Sequence, residues 1–386
     1  MPALIAILMW LLSVEALGQS RQTADAVRLR PLEARLNEEF SVITSVRELS
    51  DGRVLVTDEK DSRVVVADFR SDEVSPLGRR GSGPGEYTQV GRVWPLGGDS
   101  SLLKEPFAPR WIIFDGTRIV RTAGAGDPAT LLVGGTMVQG TDARGGVVAT
   151  RVARDASGRP VPADSYYVVR VERSTMRVDT VARVESTEGW AAEARVSRNA
   201  PPVAVRGASS SGRRSYVLSF FAPDQLAVFP DGWIAIARAN PYRVDWCEPG
   251  KRCRIGPRLH AEHLPMSARE KRAYLEVASR THSWPPTTDV SETSGWPDAV
   301  PAFVTPTGRI DGSAVLPMSD GRLLIERLPT ADAMWMRYDL VTRTGELAGQ
   351  VRLPLGERIV GQGVRSLYVT VTDSIGVQRL QRHPWP

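Results

Sequence analysis

Beyond about its first two dozen residues, the chain breaks into short runs of alternating apolar and polar positions bounded by Gly, Asp, Ser or Pro. Residues 53–56 and 64–69 flank Asp58-Glu59-Lys60-Asp61-Ser62, a strand–turn–strand pattern. A turn followed by a β-rich run then recurs. It appears as Asp51-Gly52-Arg53-Val54, Gly98-Asp99-Ser100-Ser101-Leu102 and Gly145-Gly146-Val147. It returns as Asp231-Gly232-Trp233-Ile234, Asp320-Gly321-Arg322-Leu323 and Gly363-Val364-Arg365-Ser366-Leu367. One segment has a helical period instead: Ser267-Ala268-Arg269-Glu270 reads as a capping box, and Ala273, Tyr274, Val277 and Ala278 form an apolar face ending near Arg280.

The first apolar residue of each β-rich run falls at 54, 102, 147, 234, 323 and 367. Most spacings lie in the mid-forties, and two are nearly double. A period of about 40–50 residues holding several strands is the signature of a β-propeller. The preferred architecture is all-β, with six blades and two insertions, about 186–215 and 264–300. The second insertion, helical and Pro-rich, falls between blades four and five; eight blades is the alternative. A ring must also hide its strand edges, so residues 26–36 are expected to supply an outer strand to the closing segments 366–370 and 376–380.

Residues 56–66, Val56-Thr57-Asp58-Glu59-Lys60-Asp61-Ser62-Arg63-Val64-Val65-Val66, resemble the core of an NHL repeat. Leu77-Gly78-Arg79-Arg80-Gly81-Ser82-Gly83-Pro84-Gly85-Glu86-Tyr87 resembles the glycine-rich inter-blade connector of bacterial exported six-bladed β-propellers of the NHL and TolB-like groups. The resemblance is carried by residues 45–95 and implies a fold and an exported location. It implies no single activity and transfers no catalytic residue.

Composition narrows the function. With 42% apolar, 24% charged and 7% aromatic residues in 386, the chain can bury a sizeable core, while 34 Gly and 28 Pro favour turns over long helices. The net charge of +5 invites a nucleic-acid reading, but 45 of the 49 basic residues are arginine, scattered among 44 acids without a like-charge run. No basic stripe or reading motif accompanies them, so no nucleic-acid partner is expected. Residues 3–14 are an apolar run too short to span a bilayer, followed by Ala16-Leu17-Gly18. This predicts a signal peptide over 1–18 with cleavage before Gln19, no stable transmembrane segment afterwards, and one secreted or periplasmic domain over 19–386. The only cysteines, Cys247 and Cys253, flank the turn dipeptide Pro249-Gly250 and are expected to pair as a disulfide.

The chemistry-bearing motifs are thin. After Gly85 comes Glu86, not the Lys-Ser/Thr of a phosphate-binding loop. His260-Ala261-Glu262-His263 lacks the later cysteines of a zinc deaminase and the i, i+4 spacing of a zincin. Gly207-Ala208-Ser209-Ser210-Ser211-Gly212 has no strand–helix context for a nucleophile elbow. Asp58, Asp61, Asp99 and Asp231 stand at strand ends where they could gather on one face and bind calcium, with His260 and His263 as further metal candidates. Asp before Gly also makes a turn without any metal. Trp94, Trp111, Trp233, Trp246 and Trp335 are expected in inter-blade cores, with Trp190 and Trp284 on inserted loops. Without a catalytic set, the reading is a non-catalytic, monomeric binding or scaffold module without a cofactor, recognising a protein or small ligand at the channel mouth or the inserted loops. The alternative is a calcium-dependent propeller hydrolase or lactonase.

Overall fold

A computed structural model describes residues 26–105, 110–123, 136–152, 165–175, 177–185, 224–281, 296–304 and 313–385. Expectations for residues 1–18 and 186–215, for the Gly207–Gly212 motif and for Trp190 and Trp284 lie outside these residues. Two short strands come first, β1 (Ala26–Val27) and β2 (Ala34–Arg35). An antiparallel group follows, β3 (Ile43–Glu48), β4 (Val54–Asp58), β5 (Arg63–Asp68) and β6 (Glu73–Pro76). The ribbon β7 (Arg79–Arg80) and β8 (Glu86–Tyr87) leads to β9 (Val93–Gly97), β10 (Ser100–Lys104), β11 (Trp111–Asp115) and β12 (Arg118–Ala123). The third group is β13 (Thr136–Thr141), β14 (Val147–Val152), β15 (Ser165–Glu172) and β16 (Arg177–Glu185). The fourth is β17 (Gln225–Val228), β18 (Ile234–Arg238) and β19 (Arg243–Cys247), followed by helix α1 (Ala268–Thr281). The last two are β20 (Val315–Pro317), β21 (Leu323–Glu326), β22 (Trp335–Val341) and β23 (Leu347–Pro354), then β24 (Glu357–Gln362), β25 (Ser366–Thr372) and β26 (Gln378–Pro384).

Within each group consecutive strands pair antiparallel. Between groups lie apolar cores that step round the molecule. Leu55 and Val66 pack with Leu103 and Ile112; Trp94 and Leu102 with Val147 and Val169; Val148 and Val168 with Ile234 and Ile236. Then Val244 and Trp246 meet Leu323 and Ile325, Leu324 and Tyr338 meet Leu367 and Val369, and Val360 and Tyr368 return to Val54 and Val65. A sheet caught between two neighbours buries both faces, so β4 is buried at all five positions despite the alternation expected of a half-exposed strand. This closed succession of face-packed antiparallel sheets is a β-propeller. Trp94, Trp111 and Trp246 are buried in these cores and Trp233 packs at an edge, but Trp335, at the exposed start of β22, is 49% exposed.

The recurrent turns mark the second strand of each sheet: positions 54, 102, 147, 234, 323 and 367 lie on β4, β10, β14, β18, β21 and β25. In three of them the glycine takes the same left-handed conformation, Gly52, Gly232 and Gly321 each at φ 85°. A side chain is strained there and glycine is not. The preceding Asp closes the turn, as when Asp51 and Asp320 accept the N–H of Arg53 at 2.9 Å and of Arg322 at 3.0 Å.

The first described strands join the last two sheets. β2 pairs antiparallel with β26, as the edge argument expects, while β1 pairs parallel with β23 of the neighbouring sheet. β24 and β3 add a short parallel pairing across the seam, which shows that these two inner strands run the same way. Residues 77–87, with the β7–β8 ribbon, connect the first sheet to the second, the place assigned to a connector.

The Cys247–Cys253 disulfide forms with an S–S distance of 2.05 Å. It joins β19 to an irregular edge segment in which Trp246 and Arg254 exchange backbone hydrogen bonds at 2.9 and 2.8 Å. Ser267 caps α1, its Oγ accepting the N–H of Glu270 at 3.3 Å. The capping box is only half made, because the Glu270 carboxylate turns away to accept the N–H of Ala331 at 2.8 Å and so docks the helix on the β21–β22 loop. Tyr274 and Leu275 pack there against Val304, Leu328 and Trp296. Between the fourth and fifth sheets, buried Asp339 accepts Tyr242 Oη and Arg327 Nη1, both at 2.7 Å, and Gln350 Nε2 at 2.8 Å.

Candidate functional site

Each inner strand begins at one end of the ring and turns into the second strand at the other. The turn end is stitched shut between sheets. Ser50 donates its N–H to Asp99 at 2.8 Å, Ala143 its N–H to Pro230 at 2.9 Å, and Ser319 its N–H to Gln362 at 3.1 Å. Arg343 pairs with Asp231 at 2.6 Å. Arg47 reaches from β3 to the backbone of Gly98 and Ser100, and burial pulls its guanidinium down to about 10 against the attraction of Asp99.

This geometry separates the acidic metal candidates. Asp99 and Asp231 sit in first-to-second-strand turns and are spent on the inter-sheet contacts just named. Hydrogen bonds from the Ser50 side chain and backbone hold Asp99 below the ordinary aspartate range. Asp58 and Asp61 belong to the opposite end. Asp58, fully buried, accepts the N–H groups of Ser41 and Val42 at 2.8 and 2.9 Å, with Arg63 at 3.5 Å. Asp61 accepts Ser41 Oγ. His260 and His263 are exposed in the segment that follows the fourth sheet's edge. Among the described residues no three His, Cys, Asp or Glu side chains come together in a way that could hold a metal ion. The two turn types lie at opposite ends of the strands, so Asp58 and Asp61 stand apart from Asp99 and Asp231.

The buried acid at Asp58 is a device used twice. Glu105, just past β10, accepts both the N–H and the hydroxyl of Thr88 at 2.6 and 3.1 Å, with Arg110 at 3.9 Å. In both sheets an acid at the end of the second strand caps the segment entering the inner strand, and an arginine five residues later balances it. Gln378 and Gln225 do the same for Ile43 and Ala314, at 2.7 and 2.6 Å. These residues hold the inner strands in place.

At the end where the inner strands begin, a small open cavity lies among residues of several sheets. Its polar lining comprises Thr44 at the head of β3, Arg92 just before β9, Ser313 before β20, Glu326 ending β21, Tyr338 on β22 and Arg358 on β24. Arg358 Nε donates to Glu326 at 2.6 Å, and Tyr338 Oη accepts the N–H of Ile359 at 3.1 Å. Thr44 Oγ1 donates to Glu59 at 3.1 Å. Burial works against the Arg358 charge, yet the adjacent Glu326 and Tyr338 outweigh it and raise its pKa, so the guanidinium stays protonated. The arrangement offers a fixed Arg358–Glu326 ion pair and hydroxyls beside an apolar wall, which suits binding and orienting a small polar molecule.

Sequence reasoning missed all of these lining residues. It followed the Asp-Gly turns, which mark the closed end, whereas the cavity lies at the strand heads. A polar residue opening each inner strand, as Thr44 and Arg358 do, was the available signal.

No family model matches the chain, and no curated protein matches it. Solved structures are similar over nearly the whole length. The calcium-binding protein regucalcin of Agrobacterium tumefaciens is 8% identical, with 94% of this chain and 97% of that one covered and a TM-score of 0.46. A Bacteroides fragilis protein described as exported is 11% identical over 93% and 97%, with a TM-score of 0.48. Virginiamycin B lyase of Staphylococcus aureus is 9% identical over 92% and 88%, with a TM-score of 0.40. With every one of these scores below 0.5, the architecture stated here rests on this chain's own strand pairing and cores. Among the described residues no helix is long and apolar enough to cross a membrane.

Proposed function

We propose that this protein is an exported six-bladed β-propeller that works as a binding module and takes a small polar ligand at its channel mouth. One observation carries the reading: Thr44, Arg92, Ser313, Glu326, Tyr338 and Arg358, from separate strands and loops, line a single open cavity at the end where the inner strands begin. Residues this far apart in sequence and lining one cavity are what a ligand site requires.

The count of six blades is supported by the six inter-sheet cores, one for each junction. The stretch 264–300 is read as an insertion because α1 stands outside the strand sequence of the fourth and fifth sheets. Its docking on the β21–β22 loop sets it at the mouth end, where it can add a second contact surface for a protein partner. Export is supported by the apolar segment before Ala16-Leu17-Gly18 and by a disulfide, which persists in oxidising compartments.

The test is thermal unfolding of the full chain with fractionated metabolites from envelope extracts, beside the variant Leu316→Trp, which thickens the cavity wall. A fraction that raises Tm in the native protein and not in the variant supports the reading. A shift that survives in Leu316→Trp places the ligand elsewhere and overturns it. A rise with calcium alone that EDTA reverses overturns it in favour of a metal-dependent propeller.

A further inference from the structure

Resting on the channel-mouth reading, we propose that the ligand carries a single carboxylate on a short apolar body, received end-on by the two terminal nitrogens of Arg358.

A guanidinium presents its donors in a planar fork, and an oxyanion meets two of them at once. On Arg358 the Nε–H is already committed, donating to Glu326 at 2.6 Å. Among the described residues no acceptor reaches Nη1 or Nη2. The side chain is only 13% exposed, so those nitrogens are largely withheld from bulk water while lining the cavity. Glu326 thus fixes the ring of donors and leaves one bidentate edge open. A carboxylate placed there completes the set.

The surrounding charges narrow the class further. Glu326 neutralises Arg358, and Glu59 stands behind the cavity wall, accepting the Thr44 hydroxyl. Arg92 also lines the cavity. A monoanion finds the open edge of the Arg358 guanidinium in this setting. A dianionic phosphate also meets the two nearby carboxylates. The remaining wall, formed by Val315, Leu316, Leu324 and Ile359, is apolar and suits a hydrocarbon body better than a sugar.

The experiment is isothermal titration of the full chain at neutral pH with acetate, propionate, butyrate and hexanoate, beside inorganic phosphate and 1-butanol. Arg358→Lys keeps the charge and the Glu326 partner but loses the fork. At least one of the four acids is expected to bind about tenfold or more tightly than phosphate or 1-butanol, and Arg358→Lys to lose about tenfold of that affinity. Should Arg358→Lys fail to fold, Glu326→Gln/Arg358→Gln removes both charges together and is expected to lose the acid equally. Undiminished binding in a folded variant, or phosphate or 1-butanol bound as tightly as every acid, overturns the proposal. If none of the acids binds while an extract fraction still shifts Tm in a manner abolished by Leu316→Trp, the carboxylate assignment fails and the channel-mouth site stands. If Leu316→Trp abolishes nothing, both fail.

Discussion

Gln378, on the last strand, accepts the backbone N–H of Ile43 through its Oε1 at 2.7 Å, across 335 positions of sequence. The bond lies beside the β24–β3 seam, where the ring shuts. Phe40 and Gln378 also exchange backbone hydrogen bonds at 2.9 and 2.8 Å. Closure therefore depends on polar groups buried at the junction as well as on apolar packing.

Replacing Gln378 with leucine leaves the Ile43 N–H buried without an acceptor, which costs about 1–3 kcal/mol. Urea unfolding is expected to show the midpoint falling with little change in slope. Deleting residues 26–38 removes β1, β2 and the buried Leu36, so its fall in Tm is expected to be larger. An unchanged Tm after the deletion contradicts closure by the N-terminal strands.

At the fourth–fifth junction, Arg327→Leu strips a buried carboxylate of its cationic partner and is expected to cost about 3–5 kcal/mol. Tyr242→Phe removes one neutral donor to the same Asp339 and is expected to cost about 1–3 kcal/mol. Chemical denaturation of both single variants and the double variant gives the coupling, and additive losses disprove a shared network.

Reducing the Cys247–Cys253 bond, or replacing both residues with serine, frees the edge segment that pairs with β19. The short loop limits the chain-entropy contribution to roughly 2 kcal/mol. Tm measured with and without reductant checks this, and hydrogen exchange at Trp246 and Arg254 is expected to rise first. Equal exchange in both states removes the disulfide from the account of that edge.

Stability should fall in mild acid for a traceable reason. Asp99 is held below its ordinary range by the Ser50 hydrogen bonds. Burial pushes Asp245 up, but bonds from Arg243 and Arg238 outweigh it and bring it below as well. In each case the folded pKa lies under the unfolded one, so the contribution is complete above about pH 4 and is lost as pH falls through the lowered values. Unfolding free energy followed from pH 6 downward is expected to bend near the unfolded aspartate value. Asp99→Asn should shrink that bend, and a bend of unchanged size contradicts the assignment.

Much of the architecture was legible because local chemistry repeats. Asp-Gly turns force a left-handed glycine, the turn places a strand after it, and the spacing of the turns sets the number of second strands. The cysteine pair and the α1 cap likewise needed only neighbours in sequence, although Glu270 took a partner 61 positions away. The short end strand of the chain was legible for a different reason: a ring with a free edge is unstable in water.

The site was not legible. Asp58 and Asp99 look equivalent as acids beside turns, yet β-strand direction sends one to the mouth and the other to the closed end. Arg92, Glu326 and Arg358 carry no shared motif, because each is set by its own sheet and only ring closure brings them to one cavity. The sequence by itself determined the strands, their turns and the disulfide, since these follow from dihedral preference and short-range contact. Tertiary structure alone decided which charges meet, because that depends on how the sheets pack face to face around a common axis.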